Sequence, residues 1–171
     1  QNTSMQVELG GGIRNIETVA LYLDEVGIDR VILGTAAIND PEFLKSAINT
    51  YGPEKIVVGV DVKDGFVSTS GWLKISNVPY LEFIKELEKL GVKYIVATDI
   101  SKDGTLQGPN FDMYEQIART STINFVVSGG IKDAQNIKDV ASKNYYACIV
   151  GKAYYEGKVD LKEVITCLQN G

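Results

Sequence analysis

The chain has 171 residues, 44% of them hydrophobic and 23% charged, with a net charge of −5, a pI near 4.8, no histidine, and Cys148 and Cys167 as its only cysteines. This balance predicts one soluble globular core and excludes a disulfide scaffold, a Cys/His zinc site and any mechanism built on histidine, while the acidic charge argues against a nucleic-acid partner. No run approaches the ~20 apolar residues of a membrane span and no basic, apolar leader opens the sequence, so no membrane partner and a cytoplasmic location are expected.

Short β-branched runs alternate with longer amphipathic ones. The predicted strands are Gln6–Leu9, Arg30–Leu33, Ile56–Val60, Tyr94–Ala97, Asn124–Val127 and Ala147–Val150. They lack polar alternation, as parallel strands buried on both faces do. Asn15 is a candidate N-cap before Ile16, Val19, Ala20 and Leu23, which repeat at helical spacing. Asp40-Pro41 supplies a cap and a first-turn proline for a helix through Phe43, Leu44 and Ile48. Leu81, Ile84, Leu87 and Leu90 mark a third helix, with Gly91 just past its end, and further stripes run over Met113–Ala118, Ile137–Ala141 and Leu161–Leu168. Strand–helix units in succession predict a parallel sheet flanked by helices, and no linker divides residues 1–171.

The chain also repeats itself. Leu9-Gly10-Gly11-Gly12-Ile13-Arg14 resembles Val127-Ser128-Gly129-Gly130-Ile131-Lys132 at a separation of 118, and Val31-Ile32-Leu33-Gly34-Thr35-Ala36 resembles Cys148-Ile149-Val150-Gly151-Lys152-Ala153 at 117. Doubling that period gives roughly 236 residues, close to the ~250 of an eight-unit (β/α) barrel. The fold expected is therefore α/β, a (β/α)8 barrel of which this chain covers units three to eight as a single partial-barrel domain. The first two units, roughly 65 residues on that period, are expected to be absent. A complete six-unit open sheet is the alternative. Such a partial barrel would expose its edge strands and is expected to self-associate or rearrange, although its parent is expected to be a monomer.

In parallel α/β folds ligands bind beyond the carboxyl ends of the strands. Gly11 and Gly12, Gly34 and Thr35, Gly129 and Gly130, and Gly151 and Lys152 all fall there, between a strand and a helix. Glycine lets backbone amides approach an oxyanion closely, so two repeated pairs point to a ligand with a phosphate at each end; glycines that serve only as tight turns are the plainer reading. Arg14 is a candidate phosphate partner or a solvated arginine. Asp61 closes the run Ile56–Val60 and is the best candidate acid, with capping or pairing to Lys63 as the alternative. Of Thr98 and Asp99 only one is expected to face the mouth. Asp64 and Asp103 precede glycines and read as turn formers. Trp72, the only tryptophan, is expected in a loop, either in the core or stacked on a flat heterocycle.

From Met5 onward these motifs resemble, in order, the phosphoribosylformimino-5-aminoimidazole carboxamide ribotide isomerase family of histidine biosynthesis. The resemblance rests on Gly10–Arg14, Leu33–Ala37, Gly59-Val60-Asp61, Gly71-Trp72-Leu73, Thr98-Asp99-Ile100, Asp103-Gly104-Thr105 and Gly151-Lys152-Ala153. It implies an Amadori rearrangement of an aminoaldose to an aminoketose, without metal or organic cofactor. Asp61 would protonate the furanose ring oxygen, Thr98 would help hold the substrate, and Trp72 would stack on it. The glycine pairs would hold the two phosphates. The family's base, an aspartate ending the first strand, has no counterpart here, so this chain alone is expected to be inactive. Ser70 stands where the family often carries Arg or Lys before Gly-Trp. The alternatives are the related cyclase subunit of imidazole glycerol phosphate synthase, a dual-substrate phosphoribosyl isomerase, or a non-catalytic partial barrel that binds phosphate esters.

Overall fold

A computed structural model describes residues 4–69, 71, 72 and 74–169 of the chain. Ser70 and Leu73, to either side of Gly71-Trp72, lie outside the described residues. Parallel strands run side by side in chain order: β1 (Glu8–Gly10), β2 (Arg30–Leu33), β3 (Ile56–Lys63), β6 (Tyr94–Asp99), β7 (Asn124–Ser128) and β8 (Ala147–Cys148). Between β3 and β6, an antiparallel hairpin of β4 (Phe66–Thr69) and β5 (Lys74–Pro79) folds back onto the end of β3. The helices are α1 (Ile16–Ala20), α2 (Thr35–Asn39), α3 (Pro41–Tyr51), α4 (Tyr80–Lys89), α5 (Phe111–Thr120), α6 (Ala134–Ser142), α7 (Lys152–Tyr155) and α8 (Leu161–Gln169); α1 continues as a π-helical segment, Leu21–Val26. This is the α/β architecture of a partial (β/α)8 barrel. None of the described helices is long and apolar enough to cross a membrane.

Local chemistry sets the helix starts. Asn15 accepts the Thr18 amide at 2.9 Å, Asp40 that of Phe43 at 3.0 Å and Asp133 that of Asn136 at 2.9 Å. The strands bury both faces unequally. Val58, Val60, Ile95, Ala97, Phe125 and Val127 belong to the large core beneath the helices. The alternating residues Val57, Val96 and Val126 make a smaller cluster on the opposite face, with Ile32 and Ala147 against it.

That opposite face is concave. Arg30 of β2 donates to the Tyr146 hydroxyl, just before β8, at 3.1 Å. In a flat sheet these strands would stand roughly 19 Å apart, four spacings of about 4.8 Å, so the sheet must curl. The Arg30 guanidinium lies 4.3 Å from the Tyr94 ring centroid and also donates to Glu8 and to the Glu54 carbonyl, both at 3.0 Å. This cluster closes the strands' N-terminal end, leaving the concavity open at the C-terminal end.

Several expectations need correcting. The expected Ile56–Val60 strand runs on to Lys63, because its last three residues gain β4 as a second partner. The β4–β5 hairpin was not expected: its sequence is short and half polar, and β5 ends at Pro79, which an edge strand tolerates. The Gln6–Leu9 strand lies at Glu8–Gly10, and Ala147–Val150 shortens to Ala147–Cys148. Among the described residues, β1 pairs only with β2 and β8 only with β7.

Candidate active site

Strand register builds a row of polar groups at the open end. Asp61 of β3 pairs with Thr98 of β6, and Thr98 pairs with Ser128 of β7. Registered neighbours share a face, so the three side chains stand on the concave side above Val57, Val96 and Val126. Asp99 falls on the other face, beside Val62, and is buried. It is fully occupied there: one oxygen accepts the Ser101 amide at 2.9 Å and hydroxyl at 2.6 Å, and the other the Asn110 side chain at 2.7 Å. Of the two neighbours, Thr98 is therefore the one that faces the mouth.

Asp61 is half-buried, and burial is the main cause that pushes its carboxyl above the ordinary value of 3.8. The Trp72 indole and the Thr98 hydroxyl, both within interaction range, pull it back down, and the Asp103 carboxylate pushes it up. Trp72 reaches this point because the hairpin turn folds over the end of β3. Gly71 and Trp72 both have positive φ, 64° and 72°, as the turn of a tight hairpin requires. A bulky side chain in that backbone conformation is uncommon and is held there by the turn. Trp72 stays 46% exposed, so it sits at a turn tip above the mouth rather than in the core or a free loop.

Two glycine-lined cavities flank the row. One, of about 710 Å³, is lined by Gly11, Gly12, Arg14, Gly34, Thr35 and Gly71, among others. The second, of about 240 Å³, is lined by Asp103, Gly104, Gly129, Gly130, Gly151 and Lys152, among others. The sequence repeat extends to the backbone. Gly11 and Gly129 have φ of 108° and 100°, and Gly12 and Gly130 have 70° and 87°. Gly34 and Gly151 adopt φ/ψ of −97°/−119° and −102°/−96°, and each is followed by a short helix, α2 or α7. The caps Asn15 and Asp133 are equivalent as well, at −151°/168° and −154°/174°.

The two halves differ in enclosure. Gly129 and Gly130 are buried under the loop of residues 100–110, where Gly108 donates its amide to the Gly130 carbonyl at 2.9 Å. Gly11 and Gly12 are exposed, and nothing described lies within 4 Å of a side chain built on either. Arg14 is exposed at the wall of the larger cavity. Lys152 donates to the Gly104 carbonyl at 2.9 Å.

Two residues of this mouth escaped the sequence reading. Ser128 completes the polar row, and its signal was present: like Asp61 and Thr98, it is the polar residue that follows an apolar strand run. Asp103 reads as a turn former, yet it lines the smaller cavity and acts electrostatically on Asp61. Asp64, at φ 52°, does sit in a turn, between β3 and β4.

Residues 1–160 match the family model described as "Histidine biosynthesis protein". The chain is 55% identical over 161 residues to a protein of Lactococcus lactis subsp. cremoris (strain MG1363), covering 94% of this chain and 65% of that relative. It is 48% identical over 169 residues to one of Clostridium acetobutylicum, covering 99% and 70%, and 51% identical over 165 residues to one of Clostridium botulinum (strain Alaska E43), covering 96% and 69%. All three are named as imidazole-4-carboxamide isomerases, and the name contains two phosphoribosyl groups. The chain thus spans a little under two thirds of the length of the Lactococcus relative. With a match that runs through 160 of its 171 residues, the chain belongs to the histidine biosynthesis protein family.

Proposed function

We propose that the protein is an aldose–ketose isomerase acting on a small molecule with a phosphate at each end, the aminoaldose that its relatives' name describes. The observation that carries this reading is the row of Asp61 and Thr98 on the concave face, between two glycine-lined cavities of matching backbone conformation. Each cavity offers backbone amides to one phosphate, with Gly11, Gly12, Gly34, Thr35 and Arg14 at one end and Gly129, Gly130, Gly151 and Lys152 at the other. Holding both ends fixes the sugar between them over Asp61.

Asp61 is the proton donor. Burial favours its protonated form, which suits it to protonate the furanose ring oxygen as the ring C–O bond opens. Thr98 offers a hydroxyl to the sugar, and the Trp72 ring a surface for the flat imidazole. The proton lost from the sugar's C2 must go to a base, for which this chain's motifs offer no counterpart. We take the site of action to be the cytoplasm, with no nucleic-acid or membrane partner, in keeping with the net charge of −5.

Incubating the protein that carries this chain with the aminoaldose and following the aminoketose tests the reading. Formation of that product supports it. Tight binding of the bisphosphate with no product would favour a phosphate-ester-binding role, and cyclisation of the aminoketose instead would favour the cyclase.

A further inference from the structure

The loop of residues 100–110 leaves the end of β6, roofs Gly129 and Gly130, and carries Asp103 and Gly104 into the wall of the smaller cavity. Its own backbone fastens it at several places: the Ile100 amide donates to the Val62 carbonyl and the Thr105 amide to the Lys102 carbonyl, both at 3.1 Å. The amides of Lys102 and Asp103 donate to the Asp99 carbonyl at 3.0 and 3.2 Å, and that of Gly108 to the Gly130 carbonyl at 2.9 Å. Between those points its tip is held by a side chain from another unit. Lys152, at the start of α7, spans 48 residues of sequence to donate to the Gly104 carbonyl at 2.9 Å. An ammonium has three donors, and this one also faces Glu156 at 3.7 Å, whose other oxygen lies 3.1 Å from Lys158.

We propose that Lys152 is a positioning residue: its bond to Gly104 latches the 100–110 loop across the cavity and fixes Asp103 against Asp61. The proposal rests on the assignment of Asp61 as proton donor and of this cavity as a phosphate site. Lys152 is then more than a counter-ion for phosphate. It links the end of the ligand held by Gly129, Gly130 and Gly151 to the acid at the ligand's centre. Lys152 grips the loop at the Gly104 carbonyl, one residue from Asp103, at 2.9 Å, and the Asp103 carboxylate in turn acts on the half-buried Asp61 beside the Trp72 indole and the Thr98 hydroxyl.

The test is a carbon-13 carboxyl NMR titration of Asp61 in the full chain, its signal assigned by its loss in Asp61→Asn. Releasing the loop lets Asp103 move away and water approach, and both lower the midpoint. Lys152→Met should move the Asp61 midpoint to lower pH, and Lys152→Arg, which can still donate to Gly104, should restore it. An unchanged or raised midpoint in Lys152→Met, with a native thermal melt, would overturn the latch; so would failure of the arginine to restore it. This titration needs no ligand. A parallel calorimetric titration with inorganic phosphate reads the cavity separately: wild type that binds none would overturn the phosphate assignment, and the latch would still stand or fall on the Asp61 midpoint.

Discussion

Gly130→Ala puts the close packing of the smaller cavity to a quantitative test. A β-carbon added there would stand 2.4 Å from the Gly108 carbonyl oxygen, 2.8 Å from its carbon and 3.2 Å from the Lys102 β-carbon. Two of those atoms are backbone and cannot rotate away, so the 100–110 loop must shift and stretch the 2.9 Å bond from the Gly108 amide to the Gly130 carbonyl. Overpacking costs about 1–3 kcal/mol, the lost bond about 1 kcal/mol and alanine at φ 87° about 1–2 kcal/mol, together on the order of 4 kcal/mol. At about 2–4 °C per kcal/mol for a chain of this size, the melting temperature should fall by on the order of 10 °C. Gly11→Ala is the matched control: its φ is 108°, but nothing lies within 4 Å of the new atom, so only the backbone term remains. Differential scanning calorimetry of both variants decides the matter. Equal melting temperatures for the two, or a Gly130→Ala drop of only about 2 °C, would refute the reasoning.

Asp61 carries a pH signature of its own. Its carboxyl titrates above 3.8 in the folded protein, so the native state holds that proton more tightly than the unfolded chain, and stability from this group falls as pH rises above 3.8. Asp61→Asn should therefore melt above wild type at neutral pH and lose that advantage below 3.8; a lower melting temperature at pH 7 would contradict it. Tyr114, buried in α5, places its hydroxyl 2.7 Å from the Ser128 carbonyl and 3.0 Å from that of Ala97, and receives the Ser128 amide at 3.2 Å. Tyr114→Phe strands these groups beneath the polar row and should cost about 2–3 kcal/mol by urea unfolding, with a cost below about 0.5 kcal/mol counting against the brace. Arg30→Lys keeps the charge but loses the fork that reaches Glu8, Glu54 and Tyr146, and should cost about 1–2 kcal/mol; an unchanged melt would show that this cluster does not hold the curl.

Local features were the most legible in the sequence. Asn15 and Asp40 announce their caps because a cap needs only its own side chain and the next turn. The two glycine modules, 118 and 117 residues apart, return as matching backbone angles because each glycine's conformation is set within its own turn. Long-range partners left no such mark. The end of β3 and the β4–β5 hairpin hold each other in place by pairing, and the arginine that closes the concave face meets a tyrosine 116 residues away. Asp103 does sit in the turn that Asp-Gly signals, but its approach to Asp61 depends on a loop held from Gly130 and Lys152, which no local pattern shows. Thr98 and Asp99 could be separated only by register, which places one with Asp61 and the other with Val62.

Single-turnover kinetics on the aminoaldose of Asp61→Asn, made in the longer protein that carries this chain and its base, with substrate affinity measured separately by calorimetry, tests the central claim most directly. An amide in place of the carboxyl keeps the shape of the site and removes the proton it would give. The account predicts that turnover falls by about a hundredfold or more while the dissociation constant changes by less than about threefold. Turnover close to that of wild type, with binding intact, would remove Asp61 from the chemistry.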